Sequence, residues 1–539
     1  MAKTGLVFAR KASGLAKTSS LFDSFAFAFM NNGLGVCIFM NTVFIAFAFP
    51  GTDLILAMVS AGIFNFFVLL TWGVLGSAMP RSGGSYVYNS RIIHPVVGLV
   101  FSLLEGGVVA ISWTYFIPPA YVAQIGMPLI YTLMGWSGGG WYPTPIGIFV
   151  TASVVNVLAF VVALFGLKVY NKVQKVCFVI AMAGVTLAFL LLSTQTHASL
   201  VALWNNAAAA TNSYTWDGLI NAVNSQGAAI GYAIPTTWSP WASILVVQQL
   251  IVGSVSTAYY TSMIGGEVKR PERNLMLGYE LAVLLTIVFF VWAAVVYEQI
   301  IGIGMTHALA YATLGPPLQG LQASNMPAGS TTYMYLASLV TSNVALKFLV
   351  GFQFIVFAFL WIPMNYFAFS RQLFAWGMDQ LAPKWFSDIS SRWSSPYKLL
   401  VLCFVLGELG IAIYALNPTL LSVIGIIILQ CLVWGLGGIA CMILPFVGKV
   451  KHLWQACPYK WKIGWVPVAT IAGAIALFYN AACVYYFFTT TPPSMLSVPW
   501  GEIYVGFVFF AIAWYFFWRW KRAKEGINID LAFRELPPE

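Results

Sequence analysis

Charged side chains are scarce in this sequence. Only 8% of its 539 residues are Asp, Glu, Lys or Arg, and 60% are hydrophobic. A soluble globular protein has about 25% charged residues. The composition therefore excludes a soluble protein and predicts an integral membrane protein with no sizeable soluble domain.

Histidine and cysteine offer no metal or haem site. The four histidines, His94, His197, His307 and His452, all lie in predicted loops. Six of the seven cysteines lie in predicted spans and Cys457 lies in a basic loop, so no disulfide or metal framework is indicated. A haem enzyme or an intramembrane zinc hydrolase would need ligands inside the spans. We therefore expect no cofactor, no metal and no enzymatic activity.

Twelve apolar runs approach the length of about 20 residues that crosses a bilayer as a helix. They lie at about 21–48, 52–79, 96–125, 144–166, 172–193, 242–263, 275–301, 341–371, 397–416, 418–446, 464–489 and 501–520. The N-terminal stretch before them is polar and basic, which is not the pattern of a cleavable signal peptide. The sequence predicts an all-α integral membrane protein with twelve transmembrane helices.

Basic residues are missing from every second loop. Of the 26 Lys and Arg residues, 25 lie in the two termini and the alternate loops, and Lys347 lies inside a span. The long segments 194–241 and 302–340 contain none. Because basic loops stay in the cytoplasm, we expect both termini to be cytoplasmic in the plasma membrane. The net charge of +10 is then a topology signal with some attraction to membrane lipid, and indicates no nucleic-acid partner.

The first apolar run is interrupted in its middle. Asn31, Asn32, Gly33, Leu34 and Gly35 stand where the bilayer is deepest. Glycine and asparagine both disfavour a helix there. Peptide groups freed at this depth need protein or a watery cavity beside them. The stretch predicts either a discontinuous helix with a ligand site or a close-packed contact between helices.

The sixth run has a second interruption, at Gly253, Ser254, Val255, Ser256 and Thr257. If spans 1–5 and 6–10 are two halves of opposite orientation, the two interruptions occupy matching places. Such pairs point to a transporter site. The predicted organisation is an N-terminus at 1–20, a first repeat at 21–193, an extracellular loop at 194–241, a second repeat at 242–446, spans eleven and twelve at 447–520 and a cytoplasmic tail at 521–539.

Three basic loops carry motifs that resemble a known family. They read Pro-Arg-Ser-Gly-Gly-Ser-Tyr-Val-Tyr at 80–88, Gly-Glu-Val-Lys-Arg-Pro-Glu-Arg-Asn at 266–274, and Ser-Arg-Gln-Leu-Phe-Ala-Trp-Gly-Met-Asp-Gln-Leu-Ala-Pro at 370–383. Together they resemble the loop signatures of the amino acid–polyamine–organocation superfamily of permeases. The resemblance implies a LeuT-type fold of five plus five inverted helices, with helices 1 and 6 broken and spans eleven and twelve peripheral.

The resemblance also implies a substrate site. The Gly33-Leu34-Gly35 stretch matches the family's broken first helix, whose free N–H groups suit a carboxylate. Carbonyls freed between Gly253 and Thr257 suit an ammonium group, and Asn31 and Asn32 are expected to line the site. The resemblance therefore implies a carrier that moves amino acids by alternating access. A polyamine or organic-cation carrier and an amino-acid exchanger remain alternatives, and the oligomeric state is not predicted.

Charged residues in and beside the spans supply further candidates. Glu105 in the third span is either a protonation site for coupling or a hydrogen-bonded structural residue. Glu298 and Lys347 are predicted to pair, and Glu408 to be structural. The expected cytoplasmic gate is a set of ion pairs drawn from Glu267, Lys269, Arg270, Arg371 and Asp379, with plain interfacial charge as the alternative.

The coupling ion is not indicated by the family pattern. Ala181 stands where proton-driven relatives often have Lys, and Gln353 is the only polar residue in the middle of span eight. We therefore favour protons acting through Glu105, with exchange without a coupling ion left open. Trp113 is either a cover for the pocket or an interfacial anchor.

Overall fold

The computed structural model describes residues 14–239, 244–418, 424–490 and 500–536. The N-terminal basic residues Lys3, Arg10 and Lys11, and the end of the tail at 537–539, lie outside these described ranges.

Within the described ranges, twelve helices are long and apolar enough to cross a membrane. They are Leu21–Ala48, Leu54–Ala78, Pro95–Met134, Pro145–Leu164, Leu167–Ser193, Ile244–Met263, Pro271–Leu314, Val344–Met378, Tyr397–Leu416, Ile426–Ile443, Val468–Thr490 and Gly501–Lys524. The prediction of an all-α protein with twelve spans is confirmed. We number the spans one to twelve in this order.

Short elements connect the spans. The helices among them are Gly84–Ile92, His197–Thr211, Trp216–Gly227, Leu321–Ser324, Tyr333–Leu339 and Lys451–Ala456. Strands Lys462–Ile463 and Val466–Pro467 pair in antiparallel register. The segment predicted as an outer loop after span five is thus largely helical, and Trp204 Nε1 donates to the Tyr214 carbonyl to hold its two helices together.

The first span is the most enclosed of the twelve. In its most apolar stretch 89% of the residues are buried, against 17% in the twelfth span. It begins in a capping box, in which the Ser20 hydroxyl accepts from the Asp23 N–H and the Asp23 carboxylate accepts from the Ser20 N–H. Lys175 pairs with Asp23 at 2.9 Å. We call this side of the bundle, with Asp23, Lys175 and Arg371, the basic end.

Besides the first span, three described spans depart from regular α-helix. The third contains the π-helical stretches Leu103–Ala110 and Pro118–Gly126, and the seventh contains Tyr297–Ile301. The sixth is α-helical over Ile244–Val255 and continues as a 3₁₀-helix over Ser256–Met263. Such stretches widen or tighten the turn locally and frequently occur at functional sites.

Two predictions about single residues are wrong. Glu298 does not pair with Lys347, because its carboxylate accepts the N–H groups of Leu54 and Ile55 at 2.6 and 3.1 Å and so caps the second span. His307 lies inside helix Gly302–Leu314 rather than in a loop, and its Nε2 accepts the Gly51 N–H at 3.0 Å. Glu408 accepts hydrogen bonds from Ser153 and Asn156 of span four, which is consistent with a structural role.

Candidate functional site

The first span is broken at Gly33. Helix Leu21–Asn31 stops, Gly33 adopts φ 55° and ψ 43° in the left-handed region, and a second helix runs over Leu34–Ala48. A side chain at Gly33 would place its Cβ 2.2 Å from Cζ2 of Trp361. Glycine is therefore required here for two separate reasons, the backbone conformation and the contact with the indole.

The sixth span changes its helical form two residues beyond Gly253. The α-helix ends at Val255. The hydroxyl of the next residue, Ser256, donates to Asn65 Oδ1 on the second span. The Ser254 hydroxyl donates to Asn41 Oδ1 at 2.9 Å. The two hydroxyl side chains at this point thus tie the sixth span to the first and second spans through asparagine.

The two interruptions lie against each other. Asn31 Nδ2 donates to the Thr257 carbonyl, and Thr257 Oγ1 donates to the Asn31 carbonyl at 3.0 Å and to Asn32 Oδ1 at 3.3 Å. Trp361 Nε1 of span eight also donates to the Asn31 carbonyl. The peptide groups released by the breaks are therefore covered by side chains, and Trp361 lies directly on Gly33.

A cavity of about 160 Å³ adjoins the breaks. The lining comes from spans one, three, six, eight, ten and eleven. It consists of Asn31, Cys37, Met40, Asn41, Phe44, Trp113, Phe116, Tyr121, Gln249, Leu250, Gly253, Ser254, Thr257, Tyr260, Trp361, Asn365, Ile427 and Phe487. On span one the lining residues run from the break away from the basic end. The cavity thus extends from the breaks toward the opposite end of the bundle.

Four of the ten predicted binding residues line this cavity: Asn31, Gly253, Ser254 and Thr257. The other six, Asn32, Gly33, Leu34, Gly35, Val255 and Ser256, are not in its lining. Asn32 Nδ2 instead donates to Thr286 Oγ1 at 2.9 Å. Gly35 packs so tightly that an added Cβ would lie 2.1 Å from Gln353 Oε1, and its carbonyl accepts the Tyr333 hydroxyl.

Aromatic residues of the third and eighth spans form one wall of the cavity. Trp113 lies 5.9 Å from Trp361 between ring centroids, and Tyr121 lies 6.1 Å from Trp361. Of the two interpretations of Trp113, the structure agrees with the pocket cover. The sequence reasoning missed Trp361, Asn41 and Asn365, although a tryptophan and an asparagine four residues apart within an apolar span were a usable signal.

The basic end is closed by two buried ion pairs. Arg371 Nε lies 2.9 Å from Glu267 Oε1, and the two side chains are 0% and 2% exposed. Arg91 donates to both oxygens of Asp379 at 2.7 and 2.8 Å, and the Tyr86 hydroxyl donates to the same carboxylate at 2.9 Å. Removing one partner of such a buried pair strongly destabilises the protein, because the other charge is then buried without a counter-charge.

Of the five residues predicted to form a cytoplasmic gate, the structure brings three into buried ion pairs. Glu267, Arg371 and Asp379 are in the buried pairs, whereas Lys269 and Arg270 are exposed. Arg91 was not predicted, although a lone arginine inside helix Gly84–Ile92 could have been recognised. Burial lowers the pKa of Arg91, but the neighbouring Asp379 more than offsets this, so its pKa is raised on balance. Burial, together with Asp379, raises the pKa of the Tyr86 hydroxyl.

Glu105 lies next to these buried ion pairs and not in the cavity lining. It belongs to the π-helical stretch Leu103–Ala110 and is 1% exposed. Ser85 Oγ and Gln372 Nε2 both donate to its Oε2. Ser85 precedes Tyr86, which binds Asp379, and Gln372 follows Arg371, which pairs with Glu267. A change in the protonation of Glu105 would therefore act directly on the two segments that carry these buried ion pairs.

Twelve apolar spans, an interrupted central helix and a cavity enclosed within the bundle define a multi-pass membrane protein of the transporter class. The family model for amino acid permeases matches residues 27–527. The chain therefore belongs to the amino acid permease family, within the amino acid–polyamine–organocation superfamily. Comparison with curated proteins finds no match to the chain.

Proposed function

We propose that this chain is a secondary active carrier that moves α-amino acids across the plasma membrane by alternating access, with both termini in the cytoplasm. One observation carries the proposal. A cavity at the level of two helix interruptions is closed at the basic end by buried ion pairs, Arg91 with Asp379 and Arg371 with Glu267. The lysine and arginine pattern assigns that end to the cytoplasm, so this conformation is sealed on the cytoplasmic side.

The chemistry of the breaks suits a zwitterion. Helix Leu34–Ala48 begins at Gly33 without a side-chain cap, so its positive dipole end suits a carboxylate once Trp361, which covers Gly33 in this conformation, moves aside. The carbonyls of Asn31 and Thr257 are acceptors for an ammonium group. In this conformation Asn31 Nδ2 donates to the Thr257 carbonyl, and Trp361 Nε1 and Thr257 Oγ1 donate to the Asn31 carbonyl, so an ammonium group would compete with these hydrogen bonds.

Proton coupling through Glu105 is part of the proposal. The carbonyls of Asn31 and Gly35, one on each side of the break, accept hydrogen bonds from Trp361, Thr257 and Tyr333. These two oxygens are therefore satisfied by the protein itself. Glu105, in contrast, is a buried carboxylate held by neutral donors beside the gate, where the gain of a proton changes what Ser85 and Gln372 bind.

The test is uptake by the purified protein in proteoliposomes. We expect radiolabelled α-amino acids to accumulate and putrescine not to compete. Gly33→Leu should abolish uptake, because no side chain fits between Gly33 and Trp361. Gly506→Leu is the matched control, since nothing lies within 4 Å of that position in the twelfth span.

Two results would contradict the proposal. Undiminished uptake by Gly33→Leu would remove the break from the transport site. Putrescine uptake without amino acid uptake would replace the amino acid carrier by the organic-cation alternative. Acceleration of uptake by internal substrate, with no dependence on a pH gradient, would instead assign the mode of transport to exchange.

A further inference from the structure

None of the described residues that line the cavity is charged. Its lining includes seven aromatic side chains and six neutral polar ones, and it contains no Asp, Glu, Lys, Arg or His. A protein site that receives a charged side chain supplies an opposite charge, because an unpaired buried charge is very costly. The composition of this wall therefore restricts what the carrier can accept.

We infer that the carrier selects α-amino acids with large, uncharged, apolar side chains and rejects lysine, arginine, glutamate and polyamines. This inference rests on the proposed function and names its substrate class. The side chain of the substrate lies against an aromatic wall, where contact with the rings buries and stabilises apolar groups. This wall is formed by Trp113, Phe116, Tyr121 and Trp361.

The neutral polar groups in the cavity are suited to a dipole rather than to a net charge. Asn41 Nδ2 and Asn365 Oδ1 are buried and make no hydrogen bond with the protein. One is a donor and the other an acceptor, so together they favour neither a cation nor an anion. The same residues use their remaining amide atoms within the protein, Asn41 with Ser254 and Asn365 with the Trp361 carbonyl.

The one buried carboxylate considered for an amine, Glu105, does not fill this role. It is engaged by Ser85 and Gln372 and lies outside the cavity lining. A second ammonium group on a substrate would find no carboxylate in this wall. The ring faces attract a cation, but this attraction is smaller than the cost of burying an ammonium group without a counter-charge, so we expect discrimination of about 100-fold.

The experiment compares inhibition of uptake by a panel of compounds in proteoliposomes. Unlabelled phenylalanine, leucine and methionine should compete with the transported amino acid, whereas lysine, glutamate and putrescine should fail at a concentration about 100-fold higher. Met40 lines the cavity and is close in length to glutamate. Met40→Glu should therefore gain inhibition by lysine and putrescine, and Met40→Gln should not.

Each outcome separates the inference from the proposed function. Equal inhibition of the wild type by lysine and leucine overturns the inference and leaves an amino acid carrier. A Met40→Glu variant that keeps transport but gains no cation inhibition also overturns it. Absence of uptake for every amino acid by a folded wild-type protein overturns the proposed function itself.

A different set of contacts concerns the C-terminal turn Ile529–Phe533, which follows the last span. Ile529, Ala532 and Phe533 of this turn are buried. Arg91 of the gate donates to the Ala532 carbonyl at 3.4 Å, and its guanidinium carbon lies 5.1 Å from the centroid of the Phe533 ring. The turn thus contacts the buried cation of one gate pair directly.

The twelfth span holds the other side of the same pair. Arg522 donates to the carbonyls of Gln380 and Ala382 at 3.2 and 3.0 Å, and Trp514 Nε1 donates to the Leu381 carbonyl at 2.7 Å. These three carbonyls directly follow Asp379 in the chain. Both partners of the Arg91–Asp379 pair are therefore braced by the C-terminal region.

The geometry points to a latch: residues 527–536 hold the basic end closed, and their release favours opening to the cytoplasm. This second inference also rests on alternating access. Its independent support is that Arg91 contacts the Ala532 carbonyl and the Phe533 ring in addition to Asp379. Opening must therefore break all three contacts.

The test labels Cys37, which lines the cavity, with an impermeant maleimide applied from the cytoplasmic side, with the label quantified by peptide mass spectrometry. Phe533→Ala, and separately a chain ending at Gly526, should raise the labelling rate several-fold. Arg534→Ala is the control, because Arg534 is exposed in the same segment.

Unchanged labelling in the folded Phe533→Ala variant overturns the latch, and so does an equal rise in Arg534→Ala. Wild-type uptake, measured in parallel, reports on the proposed function separately. A carrier that transports amino acids but labels at the wild-type rate in all variants would lose only the latch.

Discussion

Replacement of Gly33 by alanine is the sharpest test of the broken first span. The change forces a Cβ into the left-handed region at φ 55°, which costs about 1–2 kcal/mol. It also places that Cβ 2.2 Å from the Trp361 ring, and overpacking of this kind costs about 1–3 kcal/mol. An opposing gain of about 0.4–1 kcal/mol comes from the less flexible unfolded chain.

The sum is a loss of roughly 1–5 kcal/mol in the free energy of unfolding. The assay is thermal unfolding of the purified protein in detergent, with amino acid uptake measured on the same preparations. Gly506→Ala is the matched control, because Gly506 is helical, has nothing within 4 Å and has no positive φ. It should be neutral or slightly stabilising.

A second variant separates the two causes. Trp361→Leu removes the ring that the new Cβ meets, so the double variant Gly33→Ala with Trp361→Leu should recover the steric part and retain the backbone part. The expected coupling in the double-mutant cycle is about 1–3 kcal/mol. Gly33→Ala as stable and as active as Gly506→Ala would refute the reasoning.

Four further predictions concern the gate, the coupling residue and the outer end. Asp379→Asn should lower stability by about 3–5 kcal/mol, because it leaves the Arg91 guanidinium buried without its counter-charge, and thermal unfolding against Asp379→Glu checks this. Because the pKa of Arg91 is raised, this cation stays charged well above neutral pH. Its contribution to stability is lost only as the pH rises through that raised pKa, so uptake between about pH 6 and 9 should not titrate through it. Glu105→Gln should abolish the dependence of uptake on an imposed pH gradient while the protein still binds substrate, and an unchanged pH profile would exclude Glu105 from coupling. Glu298→Gln should destabilise by about 1–2 kcal/mol through loss of a charged cap on the second span, whereas Lys347→Gln should have no effect.

The two breaks were predictable from the sequence only in part. Gly33 and the Ser254–Thr257 stretch were recognisable because glycine and hydroxyl residues are unfavourable in the middle of a membrane helix. The partners of the freed peptide groups were not recognisable. They come from Thr257, Trp361 and Tyr333, which are about 220 to 330 residues away along the chain.

The charged residues follow the same pattern. Glu267, Arg371 and Asp379 were candidates for the gate because they lie in charged loops, predicted to be cytoplasmic, whose motifs resemble those of the family. Their pairing was not predicted, and Arg91 was missed. The predicted Glu298–Lys347 pair is wrong because the Glu298 carboxylate instead accepts backbone N–H groups at the N-terminus of the second span. That helix is distant in the chain, so the contact was not visible in the sequence around Glu298.

What the sequence by itself determined is the class of protein: twelve apolar runs, the alternation of basic loops and the places where two helices cannot continue. These depend on composition and short-range propensity, which act within about 20 residues. Only the tertiary structure decided that the cavity is uncharged and aromatic, that Trp361 covers the first break and that the C-terminal turn braces Arg91. Those features arise from contacts between spans distant in the chain, which no local pattern encodes.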